Sequence, residues 1–288
     1  MVSLAIKWSN QDSYKFYNYF RNIFLNSRFS LGKLFDKHNW LALVIGNSRL
    51  HWAWFVQDML VENWDTPHVS IAVEPQELPS QFLADSLIRE GLTSLPVYLA
   101  SVVTAQTKFW QNYPRAHIIN LQDIKLGNLY PTLGIDRSLA AWGAVEKYNK
   151  SCLVIDGGTA LTFTGVDQDR QLIGGAILPG LRSQFATLKQ KTAALPEVEM
   201  SKSLPERWAM NTKDAIASGV IYSAIAGIYS YIIDWLENFP KSKIILTGGD
   251  GELLFQYLHL QYPETKTMPI ITEYKLVFYG INLARKKV

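Results

Sequence analysis

The chain reads as an α/β protein of two similar halves with a cleft between them, and three observations predict this. A strand–turn–strand–turn–strand meander occurs twice, over 39–64 and over 153–178. Each meander is followed by a separate apolar run, Pro96–Val103 and Lys243–Leu246, of the kind that forms a buried parallel strand. Helical periodicity fills the intervals, which is the alternation of an α/β architecture. The two copies lie about 110 residues apart, a period that indicates duplicated domains rather than a solenoid.

Composition agrees. At 288 residues with 48% apolar side chains, the chain can bury one large or two medium cores. A net charge of +3 does not call for a nucleic-acid partner. The single cysteine, Cys152, rules out an internal disulfide or a cysteine-rich metal site and fits a reducing cytoplasm. The most apolar stretch, Gly219–Ile233, is short for a membrane span, carries Ser and Tyr, and is closed by Asp234. It reads as a buried helix. The N-terminus lacks the apolar core and small-residue cleavage site of a signal peptide, so the expectation is a cytoplasmic protein without a membrane span.

Taken in order, residues 1–38 stand apart: Phe16, Phe20 and Phe24 fall at helical spacing amid an excess of Lys and Arg. They read as an N-terminal extension, an extra helix or a loosely held segment. The fold proper starts at Asn39, with strands over Trp40–Ile45, Leu50–Val56 and Leu60–Trp64, the first two joined by Gly46-Asn47-Ser48. Glu77–Glu90 has helical character, Pro96–Val103 is a buried strand with a helix expected after it, and Ile118-Ile119 is a short strand. The loop Asn128–Arg137 leads into a helix from Ser138 to Tyr148 that is small on one face. We expect the first domain to span 39–149 and the second 150–288. In the second, helices are expected over Arg182–Lys191, stopped before Pro196, over about Thr212–Asn238 from an Asn211-Thr212 cap, and over Leu276–Arg285.

The second meander organises the chain. Its first strand delivers Asp156 into a turn of Gly157, Gly158 and Thr159. Glycines there let backbone N–H groups approach an anion, a threonine hydroxyl adds a donor, and a carboxylate at the edge can hold a cation. The turn fits a cradle for the phosphates of a metal-bound nucleotide; on its own it fits a ligand-free hairpin equally well.

Six motifs in order break that tie: GNSR (46–49), YPTLGIDR (130–137), DGGTALT (156–162), GGAILPG (174–180), TAALP (192–196) and TGGD (247–250). Together they resemble type III pantothenate kinase, a family of the actin-like, sugar-kinase-like ATPase superfamily, over roughly 40–285. The resemblance implies two duplicated ribonuclease-H-like domains with a nucleotide cleft between them. It implies ATP-dependent phosphorylation of pantothenate to 4'-phosphopantothenate, with Mg²⁺ and a monovalent cation, K⁺ or NH₄⁺, in a homodimer. Gly46, Asn47, Ser48 and Arg49 would form the first phosphate loop and Gly157, Gly158 and Thr159 the second. Gly248 and Gly249 of TGGD would lie near the adenosine, and Asp156 would hold the monovalent cation. Tyr130, Gly134, Ile135, Asp136 and Arg137 would bind pantothenate, Asp136 as general base, and Thr192 would come from the partner subunit.

The chemistry of phosphoryl transfer asks for the same parts: an acceptor hydroxyl held in line, charge neutralised by Mg²⁺, and a base beside the acceptor. Asp136 could instead cap the helix at Ser138. Arg137 could salt-bridge Asp136, but its fork is better used on the pantothenate carboxylate. One departure stands out. The family's first loop reads Asp-x-Gly-Asn-Thr, whereas this chain has Val44 at the aspartate position and Ser48 at the threonine; Leu161 is a milder change. Val44 keeps open a second function, a regulatory protein that holds nucleotide or pantothenate without turnover. Another phosphotransferase or phosphohydrolase of the superfamily is a third, disfavoured by the Tyr130–Arg137 and TAALP segments.

Overall fold

The computed structural model describes residues 38–89 and 91–287. The expectations for the N-terminal extension and its phenylalanine-spaced helix lie outside these, His38 excepted.

Among the described residues ten strands form two five-stranded sheets of identical plan. In the first, β1 (Asn39–Ile45), β2 (Leu50–Val56), β3 (Met59–Thr66), β4 (Val97–Ser101) and β5 (Ala116–Ile118) run in the order β3-β2-β1-β4-β5. In the second, β6 (Cys152–Gly157), β7 (Ala160–Val166), β8 (Leu172–Pro179), β9 (Lys243–Thr247) and β10 (Ile270–Thr272) run β10-β9-β6-β7-β8. Replacing β6 to β10 by β1 to β5 turns one list into the other read backwards. In both sheets the central strand pairs antiparallel with its hairpin partner and parallel with the strand that follows. The duplication inferred from the sequence is therefore present in the topology.

Central strands are continuous apolar runs because both faces are covered: every residue of β1 is buried, and β6 is buried except at Asp156. Leu41, Leu43, Trp52, Trp54, Leu99 and Trp110 build the first core, and Leu153, Ile155, Phe163, Ile225, Ile244 and Leu246 are in the second.

The helices are α1 (Asp85–Arg89), α2 (Thr104–Thr107), α3 (Ile135–Tyr148), α4 (Leu181–Lys191), α5 (Thr212–Asn238), α6 (Gly251–Gln261) and α7 (Leu276–Arg285). The helical character of 77–90 resolves into a 3₁₀ turn at Ser80–Phe82 and the short α1. Leu78 N–H instead donates to Thr93 O (2.9 Å), which ties that residue across the loop rather than into a helix. α6 and β10 are elements that the sequence pattern did not signal.

Among the described residues α5 passes the length and composition test for a membrane span, being longer than the apolar stretch that defined it in the sequence. Its Ile221, Ile225, Ile228 and Ile232 pack into the second core. Asn211 caps it, its side chain accepting from Asp214 N–H at 3.0 Å.

The chain divides into two compact units, one running to Asp123 and resuming at Ile281, the other Ile124–Gly280. The acceptor loop and α3, assigned by sequence to the first domain, fall in the second unit. Gly127 bridges to Gln171, its N–H donating to Arg170 O at 2.8 Å and its carbonyl accepting from Leu172 N–H at 3.0 Å. That bridge straps the loop to the start of β8.

Candidate active site

The second unit brings most of the predicted site residues together around the β6–β7 turn. Gly158 N–H donates to Ala160 O (2.9 Å), closing the turn tightly. Three segments converge on it. The TGGD segment follows β9, parallel to β6, and Asp250 N–H donates to Gly157 O at 2.8 Å. The start of α4 docks through Gly180 N–H and Ser183 Oγ, both donating to Thr159 O, at 2.9 and 2.6 Å. The third segment is the start of α3, whose Asp136 charge is felt at Asp156.

Gly248 shows why glycine is needed here. Its φ is +82°, and a Cβ there would overlap Asp156 Oδ1. A side chain would meet both backbone strain and the carboxylate. Gly249, by contrast, faces open space.

Burial pushes the Asp156 carboxyl up to about 7, and Asp136 adds to the rise by like-charge repulsion. A desolvated acid with a second acid nearby forms a site that a cation would relieve.

Helix α3 starts three residues earlier than its sequence pattern indicated. Gly134, not Asp136, occupies the N-cap position, and Asp136 sits in the first turn, where an acid complements the helix dipole. Its Oδ1 accepts from Arg137 N–H at 2.8 Å, and a Cβ on Gly134 would lie 2.6 Å from that oxygen. Glycine at 134 leaves the carboxylate room to fold over the helix start. The cap role is therefore excluded by position.

Arg137 is buried, its fork turned onto β7: Nε donates to Thr164 Oγ1 (3.0 Å), Nη2 to Phe163 O (2.9 Å) and Nη1 to Tyr130 OH (3.3 Å). Thr164, Phe163 and the start of β8 are neighbours that the sequence did not identify. Ile135 is buried, and Tyr130 is exposed. Thr192 lies at the far end of α4, about 18 Å along the helix axis from Gly180 at 1.5 Å per residue. It is exposed, and its Oγ1 donates back to Leu188 O at 2.7 Å. Within this chain it does not join the cluster.

The remaining predicted residues, Gly46 to Arg49, form the β1–β2 turn of the first unit. Gly46 N–H donates to Arg49 O (3.1 Å), and Gly46 O accepts from His68 Nε2 (2.8 Å). Asp65 on β3 holds Arg49 Nη1 at 3.1 Å and His51 Nδ1 at 2.7 Å. Sequence reasoning missed His51, Asp65 and His68. The alternation of β2 and β3 could have found the Asp65–His51 pair, since these residues are opposite one another in register. Val44 is buried on β1, paired with His51 and Ala100.

The family model for type III pantothenate kinase matches residues 40–234. The chain belongs to that family. A type III pantothenate kinase from Nostoc sp. is 46% identical over 260 residues, covering 85% of this chain and 94% of the relative. One from Synechocystis sp. is 43% identical, with 84% and 88% covered. In fold, a Campylobacter jejuni crystal structure assigned to the Baf family of transcriptional activators superposes with a TM-score of 0.56 at 22% identity, covering 86% of this chain and 98% of that one. Membership makes the chain an ATP-dependent kinase with an alcohol acceptor, pantothenate, at the start of coenzyme A biosynthesis.

Proposed function

We propose that the second unit carries the chemistry of pantothenate phosphorylation, with Asp136 as general base and the Asp156–Thr159 turn as the nucleotide's phosphate cradle. The observation that carries this is the Asp136–Asp156 pair: one carboxylate on a helix start beside the acceptor loop, the other desolvated at a glycine turn. Asp136 takes the proton of the pantothenate hydroxyl as that oxygen attacks the γ-phosphorus of ATP, the bond from that phosphorus to the β,γ-bridging oxygen breaks and ADP leaves. Tyr130 and Arg137 orient the acceptor. Three of the five guanidinium N–H groups are committed inside the unit, leaving two for the pantothenate carboxylate. Gly46–Arg49 form the first phosphate loop, and Gly248 and Gly249 border the adenosine.

The donor set fits the cations that such a kinase uses. Among the described residues no three His, Cys, Asp or Glu side chains cluster into a metal cage. That suits Mg²⁺ carried largely by the nucleotide's own phosphates and water, where it neutralises developing charge. Asp156 is the proposed ligand of K⁺ or NH₄⁺, since a nearby cation stabilises its ionised form.

The proposed active form is a homodimer in which Thr192 completes the partner's acceptor site. Its place far along α4 from the turn supports this, as do open stretches of α5 at Gly219 and Gly227, where a Cβ would meet nothing within 4 Å. The proposed setting is a reducing cytoplasm, which suits the buried free thiol of Cys152, pushed up to about 12 by desolvation.

A coupled assay with ATP, Mg²⁺ and pantothenate, with and without K⁺ or NH₄⁺, tests the reading. Turnover that rises with the monovalent cation is expected; binding of ATP without turnover under any cation condition would favour the regulatory protein instead. Sedimentation should give a dimer, and a fully active monomer would remove the role of Thr192.

A further inference from the structure

Asp250 occupies the N-cap position of α6, where an aspartate side chain ordinarily accepts from an N–H of the first helical turn. It makes no such bond. Its Oδ1 accepts instead from Arg182 Nε at 3.2 Å, and Nη2 lies in ion-pair contact with the same oxygen at 3.2 Å. The pair is lopsided: the Asp250 side chain is 6% exposed and that of Arg182 72%. Burying a carboxylate costs free energy, and an ion pair to a largely exposed arginine returns little of it. Stability therefore does not account for the arrangement. What it achieves is to hold one edge of a guanidinium fork and leave the other edge in solvent.

The location gives that edge a use. Both ends of the pair are bonded to the β6–β7 turn: Asp250 through its N–H to Gly157 O, and α4 through Gly180 N–H and Ser183 Oγ to Thr159 O. Arg182 is the second residue of α4, whose first turn contains no acid. A cation at the positive end of a helix is electrostatically unfavourable unless an anion sits there too, and Asp250 supplies one on only one side of the fork. Nε–H bonds Asp250 and Nη2 is in ion-pair contact with it, so both N–H groups of Nη1 remain as charge-assisted donors.

We propose that Arg182 is a phosphate-binding residue of this kinase, positioned by Asp250 to donate to the polyphosphate of the bound nucleotide. The proposal rests on the reading of Asp156–Thr159 as the phosphate turn. Asp250 acts through Arg182 and is a positioning residue. Nothing in the motif pattern isolates Arg182, because its partner lies 68 residues further along the chain.

The test compares full-length wild type with Arg182→Gln, Arg182→Lys, Asp250→Asn and, for the turn itself, Thr159→Val. Calorimetry measures binding of ADP and of a non-hydrolysable ATP analogue at fixed Mg²⁺, and steady-state kinetics measure KM and kcat. Arg182→Gln should weaken nucleotide binding and raise the KM for ATP about 10–100-fold, the range for loss of hydrogen bonds to a charged group. The KM for pantothenate should stay within about twofold, since that site uses other residues. Arg182→Lys should recover part of the loss, and Asp250→Asn should fall between Arg182→Gln and wild type. If Asp250→Asn does not fold, Arg182→Gln, a change at an exposed side chain, decides the question alone. Nucleotide binding unchanged in Arg182→Gln overturns the proposal, including where kcat falls. Should Thr159→Val weaken binding while Arg182→Gln does not, the turn reading stands and the proposal fails. Should neither weaken it, the turn reading fails as well.

Discussion

The two hairpin turns occupy the same place in the duplicated topology and have opposite electrostatics. Val44 and Asp156 each hold the penultimate position of the central strand in their sheet. Val44 is paired with His51 and Ala100, Asp156 with Thr162 and Thr247. Around the first turn the charged or ionisable groups are Arg49, His51 and His68 against Asp65. Around the second they are Asp136, Asp156 and Asp250 against Arg182, with Arg137 turned onto β7. The difference teaches how a duplicated fold can diverge at one position: one copy of the turn has a desolvated carboxylate, the proposed cation ligand, and the other a pair of methyl groups. A valine at that buried position avoids desolvating an acid. Its turn is left with a cation, Arg49, ion-paired to Asp65.

Four changes break or sharpen this comparison. The largest effect is expected from Asp136→Asn, which removes the proposed base. Its kcat should fall by about 10²–10⁴ while ATP affinity is kept, in line with general-base contributions. Near-normal turnover would show that the carboxylate only complements the helix dipole.

Asp156→Asn should change the pH dependence of stability. Below the ordinary carboxyl value of 3.8, Asp156 is protonated in both folded and unfolded chains. Between there and about 7 the unfolded chain ionises it freely, whereas the folded chain must ionise a desolvated acid beside Asp136. Wild-type stability attributable to this group is thus lost as pH rises through that window. The variant should melt higher than wild type at pH 8, by roughly 1–3 kcal/mol of stability, with the gap closing towards pH 4. Adding K⁺ at pH 8 should raise the melting temperature of wild type and not of the variant. Parallel melting curves at both pH values would show that the Asp156 carboxylate is solvated well enough to ionise without cost.

Val44→Asp makes the first turn resemble the second. Without ligand it should cost about 1–3 kcal/mol of stability, because a buried acid gains no partner. With nucleotide and Mg²⁺ the change should reverse sign, lowering both the KM for ATP and the free Mg²⁺ required. If wild type shows no turnover at saturating Mg²⁺, K⁺ and ATP while Val44→Asp does, the native chain is a binding protein on a kinase fold.

The smallest effect is expected from Asp65→Asn. Arg49 and Asp65 are 57% and 44% exposed, so thermal unfolding should report a loss under about 1 kcal/mol. A larger loss would mean that Asp65 organises the first turn more firmly than its exposure implies.

Much of the architecture was legible along the chain because it is written in local patterns. Apolar runs between glycine and polar turns marked β1, β2 and β6 to β9 with small errors at their ends, and the repeat of the meander announced the duplicated order of the sheets. Asp156, Asp136 and Gly248 could be singled out because they sit in turns or at a helix start with recognisable chemistry. Helix starts were less legible. Nothing local distinguishes a helix beginning at Ile135 from one beginning at Ser138, and the choice decides whether Asp136 caps or lies within the first turn. The short β10 and α6 were missed, since β10 is three residues long and α6 is an apolar stretch whose helical start at Asp250 has no side-chain cap.

The amino-acid order by itself determined the class of fold, the two glycine turns, the loss of the carboxylate at position 44 and the family. These depend on spacing, and spacing is carried by the chain. Only the tertiary structure decided which groups share an environment. Parallel pairing of β6 with β9 lays Gly248 over the Asp156 carboxylate. The docking of α4 on Thr159 brings Arg182 to a carboxylate that would otherwise cap a helix. Packing of α3 in the second unit turns Arg137 onto β7 and sets Asp136 near Asp156. Desolvation and charge coupling fall off over a few ångströms, and such distances exist only once residues remote in sequence have been folded together.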